Sequence, residues 1–219
     1  MIEEPPVSSD IKNRAEDENV ISRARNSTVE VVRRLSLEYS KIANGKNANQ
    51  IGIVEDNMTH WSAVLEGPAG SPYESGRFVL DLIFPPRYPF EPPKVTFRTP
   101  IFHPNVSTNG AICADILKPN GAWSPLMTVE SLLVSIQSLL DDPNPSDPLN
   151  TEAAKLFLQN RRLYETRARR ETETHAKTTA VPIPDREDPF AYLQQSSKGQ
   201  VISEDDAYEL AIRNSKRTT

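Results

Sequence analysis

The chain has 219 residues, of which 37% are hydrophobic and 25% charged, a composition typical of a soluble globular protein with a substantial core. Its formal net charge of -5 argues against a general binder of nucleic acid or of anionic membranes. No apolar run approaches the ~20 residues that span a bilayer, and the acidic, proline-bearing N-terminus is unlike a secretory signal.

Cys113 is the only cysteine, so no disulfide can form within the chain. The three histidines, His60, His103 and His175, lie far apart in the sequence, which argues against a Cys/His zinc site. A lone thiol fits a reducing compartment, so we expect a cytoplasmic and/or nuclear protein. The thiol is either a small buried hydrophobe or a nucleophile, and composition alone does not separate the two.

The N-terminal residues 1–26 are polar and charged without regular apolar spacing, which predicts a flexible arm. From residue 27 onward a folded domain is predicted, and it extends to residue 175. Its first helix carries apolar residues at steps of three and four from Val29 to Ile42, with Arg33, Arg34 and Glu38 on the wetter side. Gly45 is expected to end this helix.

Four short apolar segments predict strands at residues 51–54, 61–65, 77–84 and 95–97. The short connections between them favour a four-stranded antiparallel meander. Helices before and after this sheet make the predicted fold class α+β.

Residues 100–127 show little periodicity and predict a long irregular loop, a feature that is often functional. Thr128 is a suitable N-cap for a central apolar helix, which Pro143 should stop. Further helices are predicted at 151–159 and 160–175. The arginine-rich face of the last helix is either solvated or a partner surface.

The C-terminal residues 176–219 are interpreted as a proline-bearing linker and a polar tail. One helix, residues 203–216, is predicted within this tail, and Ser203 is its expected cap.

Several motifs occur in the order and spacing of one family. They are Gly67-Pro68 with Ser71-Pro72-Tyr73, the run Tyr88 to Lys94, His103-Pro104-Asn105, Gly110-Ala111-Ile112-Cys113, Trp123-Ser124-Pro125, and Asp142 to Pro148. Over residues 28–172 the sequence closely resembles the catalytic domain of ubiquitin-conjugating enzymes. The resemblance implies a fold with an N-terminal helix, the meander, a long active-site loop, a central helix and C-terminal helices.

The resemblance also implies that Cys113 accepts the C-terminal carboxyl of ubiquitin from an activating enzyme as a thioester. Ubiquitin then passes to lysine amines of substrates or of ubiquitin itself, usually with a RING-type ligase. No bound cofactor is implied, because ATP is used upstream by the activating enzyme. The implied partners are ubiquitin, the activating enzyme, the ligase and substrate lysines, with no nucleic acid and no membrane.

Three residues match positions around the family's reactive cysteine. Asn105 is implied either to donate a hydrogen bond to the oxyanion or to order the nearby loop. Asp147 is implied to orient the incoming amine and relay its proton, although a helix-capping role before Pro148 is the alternative. His103, with Pro104, is implied to be structural, although a histidine here also suggests a general base.

Other positions match the family's interaction surfaces. Those where RING-type ligases dock are Arg33, Arg34, Phe90, Pro125 and Leu126. Val134 and Ser138 match places where donor ubiquitin contacts the central helix. In the tail, Leu210, Ala211 and Ser215 resemble the contact residues of a ubiquitin-interacting motif, whereas Asn214 replaces a usual apolar residue.

Two positions depart from the family pattern, since Ala114 replaces a usual leucine and the loop from Lys118 to Ala122 is longer than in the shortest members. Two other functions remain open at this point: an inactive adaptor of the same fold, and a conjugating enzyme for another modifier such as SUMO. Cys113 argues against the first, because inactive relatives typically lack it. The Ser124-Pro125 loop and Asp147 argue against the second.

Overall fold

A computed structural model describes residues 28–45, 50–118 and 121–177. Residues 28–43 are helical and form α1. Four strands follow, β1 (Ile51–Val54), β2 (Asn57–Glu66), β3 (Arg77–Ile83) and β4 (Lys94–Phe97). After a long loop come α2 (Val129–Asp141), α3 (Thr151–Gln159) and α4 (Arg161–His175). The predicted α+β class and the order of its elements are confirmed.

The sheet is an antiparallel meander with strand order β1-β2-β3-β4. Its inner face carries the large apolar side chains of alternate positions, because successive residues of a strand point to opposite faces. Leu80 pairs with Phe97 and Leu82 with Val95, and all four side chains are buried. Strand β2 begins at Asn57, four residues before its predicted start at residue 61. The turn between β1 and β2 is so tight that Asn57 already pairs with Val54.

A series of edge-to-face aromatic contacts joins the helix, the sheet and the loop after it. The ring centroids of Tyr39 on α1 and Trp61 are 5.3 Å apart. The ring of Phe84 lies 5.0 Å from that of Trp61 on one side and 5.0 Å from that of Tyr88 on the other. Such pairs add a directional preference to the burial of apolar area. The core therefore fixes where the chain leaves the sheet.

Glu38 lies on the buried side of α1, so its predicted place on the wetter side is wrong. Its side chain is only 7% exposed and forms an ion pair with Arg34. It also accepts hydrogen bonds from the Tyr88 hydroxyl at 2.8 Å and from the backbone N–H of Val129 at 2.6 Å. Burial of this carboxylate is tolerated because these donors replace water. Glu38 thus joins α1 to the loop after the sheet and to the first turn of α2.

The long loop after β4 is held by backbone bonds rather than by regular structure. Gly110 has a φ of 83°, and a Cβ there would come within 2.0 Å of the Phe97 carbonyl oxygen. The backbone N–H of Phe97 donates to the Gly110 carbonyl at 2.9 Å, so the turn lies directly against the sheet. This approach requires a glycine. It directs the next three residues, which end at Cys113, back along the sheet edge.

The start of α2 matches the predicted cap. Thr128 accepts a hydrogen bond from the Ser131 N–H, and Ser131 reciprocates in a capping box. The residues buried on this helix are Val129, Leu132, Ile136 and Leu140. Their spacing leaves Val134 and Ser138 on the outward face.

The predicted arm (1–26), and the tail with its helix at 203–216, lie outside the described residues, apart from the tail's first two positions. None of the helices within the described ranges has the length and apolar character needed to cross a bilayer.

Candidate active site

Cys113 lies half-buried in the wall of an open cleft of about 300 Å³. The cleft is formed by the loop after β4, the outward face of α2 and the segment that follows α2. The Cys113 N–H donates to the Asn105 carbonyl at 2.8 Å, and Val106 forms a backbone bridge with Ile112. The backbone at and just before the thiol-bearing residue is therefore held by two contacts.

The thiol faces a carboxylate and an ammonium group. Cys113 Sγ donates to Asp147 Oδ2 at 3.2 Å, and Lys118 Nζ donates to the same oxygen at 2.6 Å. Lys118 Nζ also lies 2.9 Å from Asp115 Oδ1. Asp142, at the end of α2, lines the same cleft. The nucleophile predicted from sequence therefore contacts a carboxylate that also binds an ammonium group.

These charges act on the thiol in opposite directions. Burial, the hydrogen bond to Asp147 and the negative charges of Asp147 and Asp115 raise the pKa of Cys113, whereas the Lys118 ammonium lowers it. The hydrogen bond from Lys118, followed by that from Cys113, holds the pKa of Asp147 below its usual value. Hydrogen bonds to Asp147 and Asp115 raise the pKa of Lys118. The resting site thus holds a thiol, a carboxylate and an ammonium ion.

The side chain of Asn105 ties two loops together beneath the cleft. Its Nδ2 donates to the carbonyls of Asn144 at 2.7 Å and of Asp147 at 3.1 Å, and its Oδ1 accepts from the Asn144 N–H at 2.8 Å. Both amide hydrogens are therefore directed at backbone carbonyls. This amide therefore helps to set the position of Asp147 relative to Cys113.

His103 is fully buried and both of its ring nitrogens have backbone partners. Nε2 donates to the Leu139 carbonyl at 3.0 Å, and Nδ1 accepts from the Asn105 N–H at 2.9 Å. Burial lowers the pKa of His103 to about 4, against a smaller opposite effect of the Leu139 carbonyl. A neutral imidazole with no free nitrogen is unsuited to proton transfer in the cleft. Next to it, the Pro104 carbonyl accepts from the N–H groups of Leu149 and Asn150.

A separate surface collects the residues expected to contact a ligase. Phe90 is 71% exposed and Leu126 is 88% exposed, and Pro125 is also exposed. The two loops are joined because the Trp123 indole donates to the Pro89 carbonyl at 2.7 Å. On α1, Arg33 is exposed, whereas Arg34 is half-buried and donates to the Met127 carbonyl at 2.9 Å. The five positions lie on three segments, which are α1, the loop of Phe90, and the loop of Pro125 and Leu126. The core and the contacts of Glu38 described above connect these segments.

The remaining predicted residues divide between the cleft and the tail. Val134 is 60% exposed on α2, and Ser138, one turn later, lines the cleft with Cys113. Leu210, Ala211 and Ser215 lie outside the described residues.

Sequence reasoning did not assign Lys118 or Asp115 to the site. The only signal in the sequence was position. Asp115 follows Cys113 by two residues, and Lys118, five residues after Cys113, begins the loop that is longer than in the shortest family members.

Comparison with known proteins identifies the class to which this fold and cleft belong. A family model described as ubiquitin-conjugating enzyme matches residues 34–172. The chain is 46% identical over 143 residues to the Probable ubiquitin-conjugating enzyme E2 31 of Arabidopsis thaliana, an alignment that covers 65% of this chain and 92% of the relative. A solved E2 domain of a Toxoplasma gondii ubiquitin conjugating enzyme is 44% identical with a TM-score of 0.61, covering 66% of this chain and 98% of that one.

The chain belongs to the ubiquitin-conjugating enzyme family. It is a transferase that accepts ubiquitin from the activating enzyme as a cysteine thioester and passes it to lysine amines, in general together with a RING-type ligase. Ubiquitin, an activating enzyme and a ligase are its partners in the general sense that the family implies.

The burial of His103 predicts a specific dependence of stability on pH. Its folded pKa of about 4 lies below the unfolded value of about 6.5, so the unfolded chain binds more protons between these values. Stability therefore falls as the pH is lowered through this window, by about 3 kcal/mol in total. Denaturant unfolding from pH 7 to pH 4 measures the slope.

The slope should become shallower in His103→Gln, whatever the absolute stability of that variant. His175→Gln, which changes the exposed end of α4, controls for the loss of an imidazole as such. Equal slopes in His103→Gln and the unmodified protein would contradict this assignment.

Proposed function

We propose that Cys113 is the residue that carries ubiquitin in this enzyme. The observation that supports this most directly is the placement of its thiol in the cleft wall, 3.2 Å from a carboxylate that an ammonium group also contacts. No other cysteine exists in the chain to serve the family's thioester chemistry.

The proposed cycle has two group transfers. In charging, the Cys113 thiolate attacks the thioester of the activating enzyme, a new C–S bond forms, and the activating enzyme's thiolate leaves. In discharge, a deprotonated lysine amine attacks the carbonyl carbon and the C–N bond forms. The nitrogen then loses its second proton to water, the C–S bond breaks, and Cys113 leaves as a thiolate. The reaction needs no bound cofactor, because ATP is consumed upstream by the activating enzyme.

Asp147 is proposed to receive the acceptor lysine. A lysine side chain arrives as an ammonium ion at neutral pH and must lose a proton before it attacks. The Asp147 carboxylate already binds an ammonium group, that of Lys118, at 2.6 Å, which supports this role. An acceptor amine held at that oxygen in place of Lys118 would lie beside the thioester and pass its proton to the carboxylate or to water.

Asn105 is proposed to act by ordering the segment that carries Asp147. Its three side-chain hydrogen bonds to Asn144 and Asp147 support this role over direct contact with the oxyanion, which would require one of its N–H groups to leave a carbonyl. His103 and Pro104 are proposed to support the same loop through their backbone contacts.

The exposed apolar pair Phe90 and Leu126 is proposed as the centre of the ligase contact, with Pro125, Arg33 and Arg34 beside it. Large apolar side chains at such exposure are typical of a partner surface. Val134 and Ser138 are proposed to contact the donor ubiquitin, because they share the outward face of α2 and Ser138 borders the cleft.

The remaining proposals concern the two ends of the chain and come from sequence. We propose that 27–175 is the catalytic domain, that 1–26 is an arm, and that residues 203–216 of the tail bind ubiquitin through Leu210, Ala211 and Ser215. The lone cysteine supports a cytoplasmic and/or nuclear location.

The catalytic assignment is tested by charging and single-turnover discharge with activating enzyme, ATP and ubiquitin. Cys113→Ala should form no reductant-sensitive adduct, and Cys113→Ser should form an adduct that resists reductant. Asp147→Asn and Asn105→Ala should charge yet discharge to free lysine at least about tenfold more slowly. Asn105→Ala should also exchange the Asn144 amide hydrogen faster.

A reductant-sensitive adduct in Cys113→Ala would refute the role of Cys113. If the unmodified protein charges with SUMO and not with ubiquitin, the modifier is wrong.

The ligase surface is tested by discharge with and without a RING-type ligase that stimulates the unmodified enzyme. Phe90→Ala and Leu126→Ala should lose most of the stimulation while unstimulated discharge is unchanged, because neither side chain lines the cleft that contains Cys113. Leu158→Ala, an exposed leucine on α3, is the matched control. Full stimulation of both variants would contradict the assignment.

The tail is tested by deleting residues 181–219 and, in the full chain, by Ala211→Arg. Both should slow chain growth on ubiquitin severalfold, through the loss of effective concentration, and leave charging unaffected. If chain growth is as fast in both variants as in the unmodified enzyme, the tail does not act in this way.

A further inference from the structure

Lys118 occupies the position at Asp147 that the proposed function gives to the acceptor lysine. Its Nζ lies 2.6 Å from Asp147 Oδ2, the same oxygen that the Cys113 thiol contacts at 3.2 Å. An amine bound there for transfer would need the same oxygen and the same approach to Cys113. A second ammonium group cannot occupy that position while Lys118 holds it.

The loop geometry keeps Lys118 at this place. Asp115, Ile116 and Leu117 form a single 3-10 turn directly before it. The Gly121 N–H donates to the Lys118 carbonyl at 2.9 Å and the Ala122 N–H to the Asp115 carbonyl at 3.0 Å. A Cβ at Gly121 would come within 2.2 Å of the Asp115 carbonyl oxygen, so the closure requires glycine. Asp115 then supplies the second carboxylate, 2.9 Å from Nζ.

The contact is nevertheless easy to break. The Lys118 side chain is 43% exposed and that of Asp147 is 55% exposed. Ion pairs at such exposure are weak, because water and salt screen them and both side chains lose entropy. An incoming lysine can therefore displace Lys118 at a modest cost.

We propose that Lys118 is a resident competitor for the acceptor site, which weakens acceptor binding at Asp147 while its charge favours the thiolate of Cys113. The inference rests on the proposed role of Asp147. Its consequence is that Lys118 has opposite effects on the two half-reactions. It slows discharge at low acceptor concentration, and it assists charging because a nearby cation stabilises the attacking thiolate.

The free enzyme's thiol experiences four charged groups in the cleft. Asp147 and Asp115 disfavour the thiolate, whereas Lys118 favours it and is the cation among the described residues that line the cleft; Asp142 lines the same cleft. Removing Lys118 should therefore move the alkylation of Cys113 by iodoacetamide to higher pH. The same substitution frees Asp147 for an acceptor. A purely structural role of Lys118 would not produce both effects.

The test compares Lys118→Gln, which removes the charge, with Lys118→Arg, which keeps it. The matched control is Lys155→Gln, an exposed lysine on α3. Enzyme charged with ubiquitin is chased with free lysine over a range of concentrations, without ligase, and the loss measured without lysine is subtracted. Alkylation of the uncharged enzyme is followed as a function of pH.

In Lys118→Gln we expect the apparent KM for lysine to fall about two- to fivefold, the effect of removing a weak exposed ion pair. The alkylation midpoint should rise in the same variant. Lys118→Arg and Lys155→Gln should match the unmodified enzyme in both measurements. In an Asp147→Asn background, adding Lys118→Gln should leave KM unchanged, because the carboxylate for which the two amines compete is absent.

An unchanged or higher KM in Lys118→Gln would overturn the inference, as would an equal fall in Lys118→Arg. A KM that still falls in the Asp147→Asn background would also overturn it. If instead the proposed role of Asp147 is wrong, Asp147→Asn alone will discharge at the rate of the unmodified enzyme. If Asp147→Asn is slow and Lys118→Gln has the KM of the unmodified enzyme, only the competition is refuted.

Discussion

The arrangement of the cleft depends on the side-chain amide of Asn105. Cys113 is fixed through its backbone to the carbonyl of Asn105, and Asp147 is fixed through the hydrogen bonds of the Asn105 side chain to its own carbonyl and to Asn144. One residue thus contacts both segments that carry the Cys113 thiol and the Asp147 carboxylate, which are 34 positions apart in sequence. Because an amide offers two donors and an acceptor on one planar group, no smaller side chain can make the same three bonds. His103 Nδ1 accepts the backbone N–H of Asn105 and so helps to hold this residue in place.

Under the proposed function, two half-reactions with different electrostatic requirements share this cleft. Charging favours a thiolate, and therefore positive charge nearby, whereas discharge favours a carboxylate that can receive an amine. Asp147 alone would suppress the thiolate, and Lys118 offsets this effect from the other side of the same oxygen. The two groups are exposed, so a substrate or a ligase can alter their balance without moving the core.

Much of the fold followed from local patterns in the sequence. Apolar spacing gave α2 and α3, alternation gave β3, and Thr128 marked the cap of α2, because these signals depend only on neighbouring residues. Glu38 was misplaced because its burial is decided by Arg34, Tyr88 and the N-terminus of α2, which are distant in sequence or invisible to periodicity. Lys118 was missed for a similar reason: the direction of a loop side chain depends on how the loop closes. The family motifs indicated Cys113, Asn105 and Asp147. The hydrogen-bond partners of the Asn105 side chain, which bear on its two predicted roles, could be identified only in the structure.

The ion pair between Arg34 and Glu38 reduces the positive charge that α1 presents to a partner. Although two adjacent arginines suggest a doubly positive surface, the charge of Arg34 is directed inward to a buried carboxylate and to the Met127 carbonyl. Arg33 is the exposed member of the pair. At the proposed ligase surface, an acidic group of the partner would therefore meet one free guanidinium, that of Arg33. Recognition by charge at this helix would then depend on that single side chain, because Arg34 is held by Glu38 and the Met127 carbonyl.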